Sequence, residues 1–130
     1  MSVPDALRSL GITNRYRGYR CVVTAVTLVL KNEECMRSVV RDVYRATASL
    51  CGCSWCAVER NIRTVVRRAW LINPQRLSKM AGYPLDGQPT VSEFIDILAC
   101  YIRRSARSSA GGIAAADVKG TQNGQMSEAM

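Results

Sequence analysis

The stretch Leu50–Trp70, L-C-G-C-S-W-C-A-V-E-R-N-I-R-T-V-V-R-R-A-W, predicts a glycine turn followed by an amphipathic helix. Ser54 is a favoured N-cap residue, and Gly52 lies just ahead of it, where a tight turn needs glycine. At about 100° per residue, one face of this helix is apolar. The apolar residues are Val58, Ile62, Val65, Val66 and Ala69. The opposite face is basic, with Arg60, Arg63 and Arg67, Cys56 beside them and Glu59 at the margin.

A helix, a tight glycine turn and a second helix with a basic outer face together form a helix-turn-helix. The first helix of the motif is expected in the second half of the amphipathic segment 33–50. We therefore predict that 54–70 enters the major groove of double-stranded DNA. The residues predicted to contact the DNA are Ser54, Cys56, Glu59, Arg60, Arg63, Thr64 and Arg67.

The composition fits one small domain with a polyanionic partner. A chain of 130 residues with 48% hydrophobic residues can bury a modest core. Eighteen basic and ten acidic residues give a net charge of +8, which suits DNA but also RNA or an anionic membrane. The N-terminus lacks the long apolar core of a signal peptide, and the longest apolar-rich run, 21–30, is too short to span a bilayer. We expect a cytoplasmic protein without a membrane partner.

The chain has six cysteines and no histidine. Three thiols at 51, 53 and 56 could approach a metal, but a structural zinc site needs four ligands, normally from two separated pairs. A fourth thiolate would have to come from Cys21, Cys35 or Cys100, which lie in segments that we interpret as helical. We favour turn and core cysteines without metal or cofactor, while a thiol redox or metal sensor stays as a weaker hypothesis. The chain contains no glycine-rich phosphate loop or nucleophile motif, so we expect no enzyme.

Helix signals elsewhere predict an all-α compact bundle of about six helices. Pro4 is placed in the first turn of a short helix, Asp5–Leu10, which Gly11 closes. The β-branched segment Arg20–Lys31 permits a strand, but we expect a buried helix because no hairpin signal or partner strand follows.

The segment Glu33–Leu50 is amphipathic and is expected to be kinked or split. Its predicted inward residues are Met36, Val39, Val40, Val43, Tyr44 and Thr47. Its outer side carries an arginine every four residues, at Arg37, Arg41 and Arg45. We interpret these arginines as a solvated face rather than as phosphate contacts.

The C-terminal third contains two further helix starts. Asn73 and Pro74 begin a helix of two turns that Gly82 ends. Thr90 and Glu93 match a capping box at the start of the next helix. Its inner face is predicted to carry Phe94, Ile97, Leu98 and Tyr101. This helix is expected to end near residue 104, which divides the chain into a DNA-binding domain, 1–104, and a disordered polar tail, 105–130.

Residues from about 10 to 104 resemble the C-terminal effector domain of the stage-zero sporulation response regulator A family of endospore-forming Firmicutes. The matching pieces occur in the family's order and at nearly its spacing: R-G-Y (17–19), V-Y (43–44), V-E-R-N-I-R (58–63), A-W (69–70), G-Y (82–83) and P-T-V-S-E-F-I (89–95). The resemblance implies an all-helical domain with a helix-turn-helix that binds a TGTCGAA-like box, often as tandem copies. It also implies contact with an RNA polymerase sigma subunit.

The resemblance implies that Glu59 and Arg60 read base edges, with Arg63 on bases or phosphate. An arginine fork matches O6 and N7 of guanine, and a glutamate accepts from the amino group of cytosine. In free protein Glu59 could pair with Arg63, four residues later. Ala57 stands where the family commonly has a basic residue, so one DNA contact could be missing.

The resemblance also implies sigma contacts, for which the candidates are Arg76, Lys79 and Met80. The family's apolar aromatic before G-Y is Ala81 here, which puts activation in doubt more than DNA binding. The family joins this domain to an N-terminal receiver, and only about ten residues precede the matched region. An alternative function is therefore a non-activating decoy, an interaction module that binds a sigma subunit or a full-length homologue.

Overall fold

A computed structural model of the chain describes residues 1–114, which form six α-helices and no β-strand. In chain order the helices are α1 Val3–Ser9, α2 Tyr19–Lys31, α3 Arg45–Cys51, α4 Trp55–Ile72, α5 Pro74–Ala81 and α6 Val91–Ala114. This confirms the predicted all-α bundle. None of the helices in this part of the chain is long and apolar enough to cross a membrane.

One hydrophobic core joins all six helices. Helix α2 lies across its middle and packs along α6, α3 and α4. The buried residues of α2 are Cys21, Val22, Ala25, Val26 and Val29. Their spacing of three and four residues is helical, so the helix predicted for this segment is confirmed and the strand alternative is excluded.

Local capping fixes most helix ends where the sequence predicts them. Helix α1 begins two residues earlier than expected because the Ser2 hydroxyl accepts from the Asp5 N–H at 3.2 Å. Asn73 caps α5 by accepting from the Arg76 N–H at 3.0 Å. The predicted capping box opens α6: the Thr90 hydroxyl accepts from the Glu93 N–H at 3.1 Å, and the Glu93 carboxylate accepts from the Thr90 N–H at 2.8 Å.

The segment between α2 and α3 is split, as predicted. A 3-10 segment, Glu33–Ser38, is followed by one π-helical turn, Val40–Tyr44. Most of the predicted inward residues are buried or half-buried, but Val40 is 39% exposed. The prediction for Val40 is wrong because neither a 3-10 nor a π-helical turn keeps the phase of a regular α-helix.

Helix α6 continues to Ala114, so the predicted helix end near Arg104 is wrong. The residues from 105 to 110 are alanine, arginine and serine, which permit a helix, and the helix also includes Gly111 and Gly112, which disfavour one. Arg103 and Arg104 lie within the helix, where they donate to the carbonyls of Val29 and Met80. Those carbonyls lie in the last turns of α2 and α5. No N–H group of the same helix is left to donate to carbonyls in a last turn. The disorder predicted for 115–130 lies outside the described residues.

Candidate nucleic-acid interface

A three-residue turn, Gly52–Ser54, separates α3 from α4. Gly52 adopts the left-handed conformation, with φ +71°, and the Cys53 N–H donates to the Ala48 carbonyl at 3.0 Å. The Ser54 hydroxyl then accepts from the Ala57 N–H at 3.1 Å. The predicted turn and N-cap of the helix-turn-helix are therefore confirmed, and α4 runs two residues further than the predicted end at residue 70.

The apolar face of α4 is fully buried. Each residue of the predicted stripe has 0% exposure: Val58, Ile62, Val65, Val66 and Ala69. Burying these side chains sets the rotation of the helix, because any turn about its axis would bring charged residues into the core. The opposite face must then point away from the body of the domain.

The basic face of α4 is exposed and continuous. The residues of this face that lie on the surface are Cys56, Arg60, Arg63, Thr64 and Arg67. Glu59, at the margin, is half-buried and forms the predicted ion pair with Arg63 four residues later. Ser54 is exposed at the start of the helix. The structure thus brings together all seven residues predicted to contact DNA.

Tyr44, on the π-helical turn, packs beside this face and was not among the predicted site residues. Burial, followed by the negative charge of Glu59, raises the pKa of Tyr44, while the positive charge of Arg63 lowers it. Because Tyr44 lies in a split helix, the periodicity of a regular helix predicted that its side chain points inward but not that it lies beside this face of α4.

A loop rich in arginine, N-R-Y-R-G-Y-R at 14–20, lies against the flank of α4. Gly18 is buried, and a Cβ atom added there would lie 2.2 Å from the Asn61 carbonyl oxygen. The Arg68 guanidinium lies over the Tyr16 ring, 5.8 Å from its centre. No site residue was predicted in this segment, and the clustered arginines around glycine were the available signal.

The three candidate sigma-contact residues on α5 differ in exposure. Lys79 is exposed at the surface. Arg76 is half-buried, donating to the Tyr101 hydroxyl at 3.0 Å and to the Ser9 hydroxyl at 3.3 Å. Met80 is fully buried, so its side chain offers no surface to a partner. This corrects the prediction for Met80: the helical phase of α5 turns it, with Leu77, toward the core.

An open cleft of about 730 Å³ lies beside Lys79, between the end of α4 and the loop after α5. Trp70, Tyr83 and Leu85 supply apolar lining, and Tyr83 is 53% exposed. An exposed aromatic beside a lysine is suited to contact with another protein. The surface near the predicted sigma contacts is therefore an apolar cleft with a basic rim.

All six cysteines lie within residues 1–107 and are free. Cys21 is buried, whereas Cys53, Cys56 and Cys100 are exposed, so the expectation that Cys100 lies in the core is wrong. Burial, together with the neighbouring Cys51, raises the pKa of Cys21 to about 11. No group of three or more cysteine, aspartate or glutamate side chains suited to a metal occurs in the part of the chain that the structure describes.

The family model described as "Sporulation initiation factor Spo0A C terminal" matches residues 3–102. The match begins with α1 and ends in α6, and it therefore includes the arginine-rich loop, the glycine turn and the whole of α4. It covers far more than half of the 130 residues. The chain belongs to the Spo0A C-terminal family and is a DNA-binding domain of the sporulation-regulator type.

Proposed function

We propose that this protein is a sequence-specific transcriptional regulator whose helix α4 binds in the major groove of a TGTCGAA-like box. The observation that carries the proposal is the division of α4 into two faces. One face is fully buried, and the other presents Arg60, Arg63 and Arg67, which no element of residues 1–114 covers. A rigid helix with that surface matches the width and the negative charge of the groove.

The first two turns of α4 supply the base contacts in this proposal. Arg60 donates its guanidinium fork to guanine, and Glu59 accepts from the amino group of cytosine. Cys56 lies one turn earlier on the same face, and Ser54 is near a phosphate at the N-terminus of the helix, where free N–H groups attract anions.

The next turns of α4 contact the DNA backbone. In this proposal Thr64 and Arg67 contact phosphates, and Arg63 contacts a phosphate or an adjacent base. The Glu59–Arg63 pair must open for full readout. Tandem boxes would carry two copies of the domain.

Arg60→Ala tests the readout. Selection of bound duplexes from a random pool is expected to enrich a TGTCGAA-like box with the wild-type protein. Arg60→Ala should cost about 1–3 kcal/mol of binding free energy on that box and relax preference at one base pair. Arg37→Ala, an exposed arginine paired with Glu34 away from α4, is the control for loss of one charge. Unchanged box binding by both Arg60→Ala and Glu59→Ala would contradict the assignment.

The cleft beside Lys79 favours a second candidate function, a non-activating decoy that binds a sigma subunit or a full-length homologue. In this candidate Lys79 and Tyr83 contact the partner, and Arg76 holds α5 against α1 and α6. An exposed tyrosine in a largely apolar cleft is of the kind that is enriched at protein–protein interfaces.

Lys79→Glu tests the decoy function. Binding to a purified RNA polymerase sigma subunit is expected to fall by about tenfold, because a like charge replaces the cation at the cleft rim. DNA binding should change little. Lys31→Glu, at the end of α2, makes the same charge change elsewhere. Equal sigma binding by wild type, Lys79→Glu and Lys31→Glu would contradict a role of the cleft.

A further inference from the structure

The arginine-rich loop, defined here as Asn14–Arg20 and including the first two residues of α2, carries three exposed arginines within six residues: Arg15, Arg17 and Arg20. The arginines that form ion pairs within the described residues are others: Arg8, Arg37, Arg41, Arg63 and Arg103. The loop therefore concentrates positive charge that no carboxylate of the described residues pairs with at ion-pair distance. Such an arrangement raises self-repulsion in free protein and is relieved by an anion.

Two contacts place the loop against α4. The Gly18 backbone lies so close to the Asn61 carbonyl that no side chain fits between them. The Arg68 guanidinium covers the Tyr16 ring at 5.8 Å. Asn61 directly follows Arg60 in the helix, and at about 100° per residue it borders the basic face. The loop is thus fixed beside the surface that α4 is proposed to place on DNA.

The loop also forms an open concave surface. A cleft of about 520 Å³ has the three arginines and Asn14 among its lining residues, and the rest of its lining is largely apolar: Pro4, Tyr16, Tyr19 and Val23. Guanidinium, amide and hydroxyl groups are the donors that phosphate oxygens accept from.

We propose that the arginine-rich loop is a second DNA contact that binds backbone phosphates at the edge of the groove occupied by α4. This inference rests on the proposed function. An α-helix with its side chains is about 10–12 Å across, and the major groove is about 12 Å wide, so an element flanking the helix meets the phosphates. The loop packs against α4 and carries positive charge outside the ion pairs. Both features favour duplex DNA over a free anion as the ligand.

The salt dependence of binding distinguishes this contact from base readout. Each phosphate neutralised by an arginine steepens the fall of log K with log salt by about 0.9. Arg17→Ala/Arg20→Ala should therefore make that slope shallower by about 2 and weaken binding about 10- to 50-fold at 100 mM salt. The loss should be equal for the selected box and for a scrambled duplex, because phosphates carry no sequence information.

The matched control is Lys31→Ala/Arg37→Ala, which removes two positive charges, one at the last residue of α2 and one in the 3-10 segment that follows it. Lys31 lies roughly 16 Å along the helix from Arg20, at 1.5 Å per residue. Circular dichroism melts of both double variants should match wild type, since all four side chains are exposed. A control that flattens the slope as much as the loop variant would show a bulk charge effect and overturn the proposal.

Other outcomes separate this contact from the proposed function. A loop variant with the wild-type slope overturns the loop contact and leaves readout by α4 intact. A loop variant that changes the ratio of box to scrambled affinity also overturns it, because the loop would then read bases. If Arg60→Ala keeps the wild-type preference while the loop variant loses affinity, the readout by α4 fails and the loop contact stands. Weakened binding to a sigma subunit with unchanged DNA binding would identify a protein surface instead.

Discussion

Gly18→Ala is expected to lower the free energy of unfolding by about 3 kcal/mol or more. Gly18 has φ −81° and ψ −2°, a conformation that alanine adopts without strain, so the cost is steric. The added Cβ would lie 2.2 Å from the Asn61 carbonyl oxygen and 2.8 Å from a Val65 methyl. The carbonyl belongs to the backbone of α4 and cannot swing aside, so the loop must leave the helix.

Two other glycines give matched controls for that measurement. A Cβ at Gly87 meets nothing within 4 Å, so Gly87→Ala should change stability by less than about 0.5 kcal/mol. Gly52 also has open space but φ +71°, so Gly52→Ala should cost about 1–2 kcal/mol from backbone strain alone. Urea unfolding is expected to show the largest loss of stability for Gly18→Ala, a smaller loss for Gly52→Ala and the smallest for Gly87→Ala. Equal stability of Gly18→Ala and Gly87→Ala would show that the loop does not pack on α4 as described.

Ile62→Ala is expected to destabilise the domain by about 2–5 kcal/mol. Ile62 has 0% exposure at the centre of the buried face of α4, so truncation removes buried methyl groups and leaves a cavity. Thermal or urea unfolding measures the effect. Arg67→Ala on the exposed face of the same helix should stay within about 0.5 kcal/mol.

The same pair of variants separates stability from recognition. At a temperature where Ile62→Ala is still folded, its preference for the selected box over a scrambled duplex should equal that of wild type. Arg67→Ala should weaken binding to both duplexes and leave the preference unchanged, because it is placed on the backbone. A large loss of stability in Arg67→Ala, or none in Ile62→Ala, would mean that the two faces of α4 are assigned the wrong way round.

The two faces of α4 were predictable because they follow from interactions within one helix. A period of 3.6 residues sorts Val58 and Ile62 from Arg60 and Arg63 whatever the rest of the chain does. The Ser54 cap is local in the same sense, since its partner is three residues away.

The errors lie where regular helix geometry fails or where a distant residue decides. Val40 follows a 3-10 segment that breaks the α-helical phase, so its side chain emerges to solvent. Arg103 was predicted to lie in the last turn of a helix, but its guanidinium donates to the Val29 carbonyl, 74 positions earlier in the chain. Met80 was predicted to contact a partner beside Lys79, but its face of α5 packs in the core.

The sequence by itself determined the all-helical class, the glycine turn, the caps and the two-sided recognition helix, since each arises from side chains within about one turn of one another. Only the tertiary structure decided which residues surround that helix. The position of the arginine-rich loop depends on the contact between Gly18 and Asn61, which are 43 positions apart in the chain. A periodic pattern in the sequence cannot predict a contact of that kind, because the contact forms only when separate helices pack in one core.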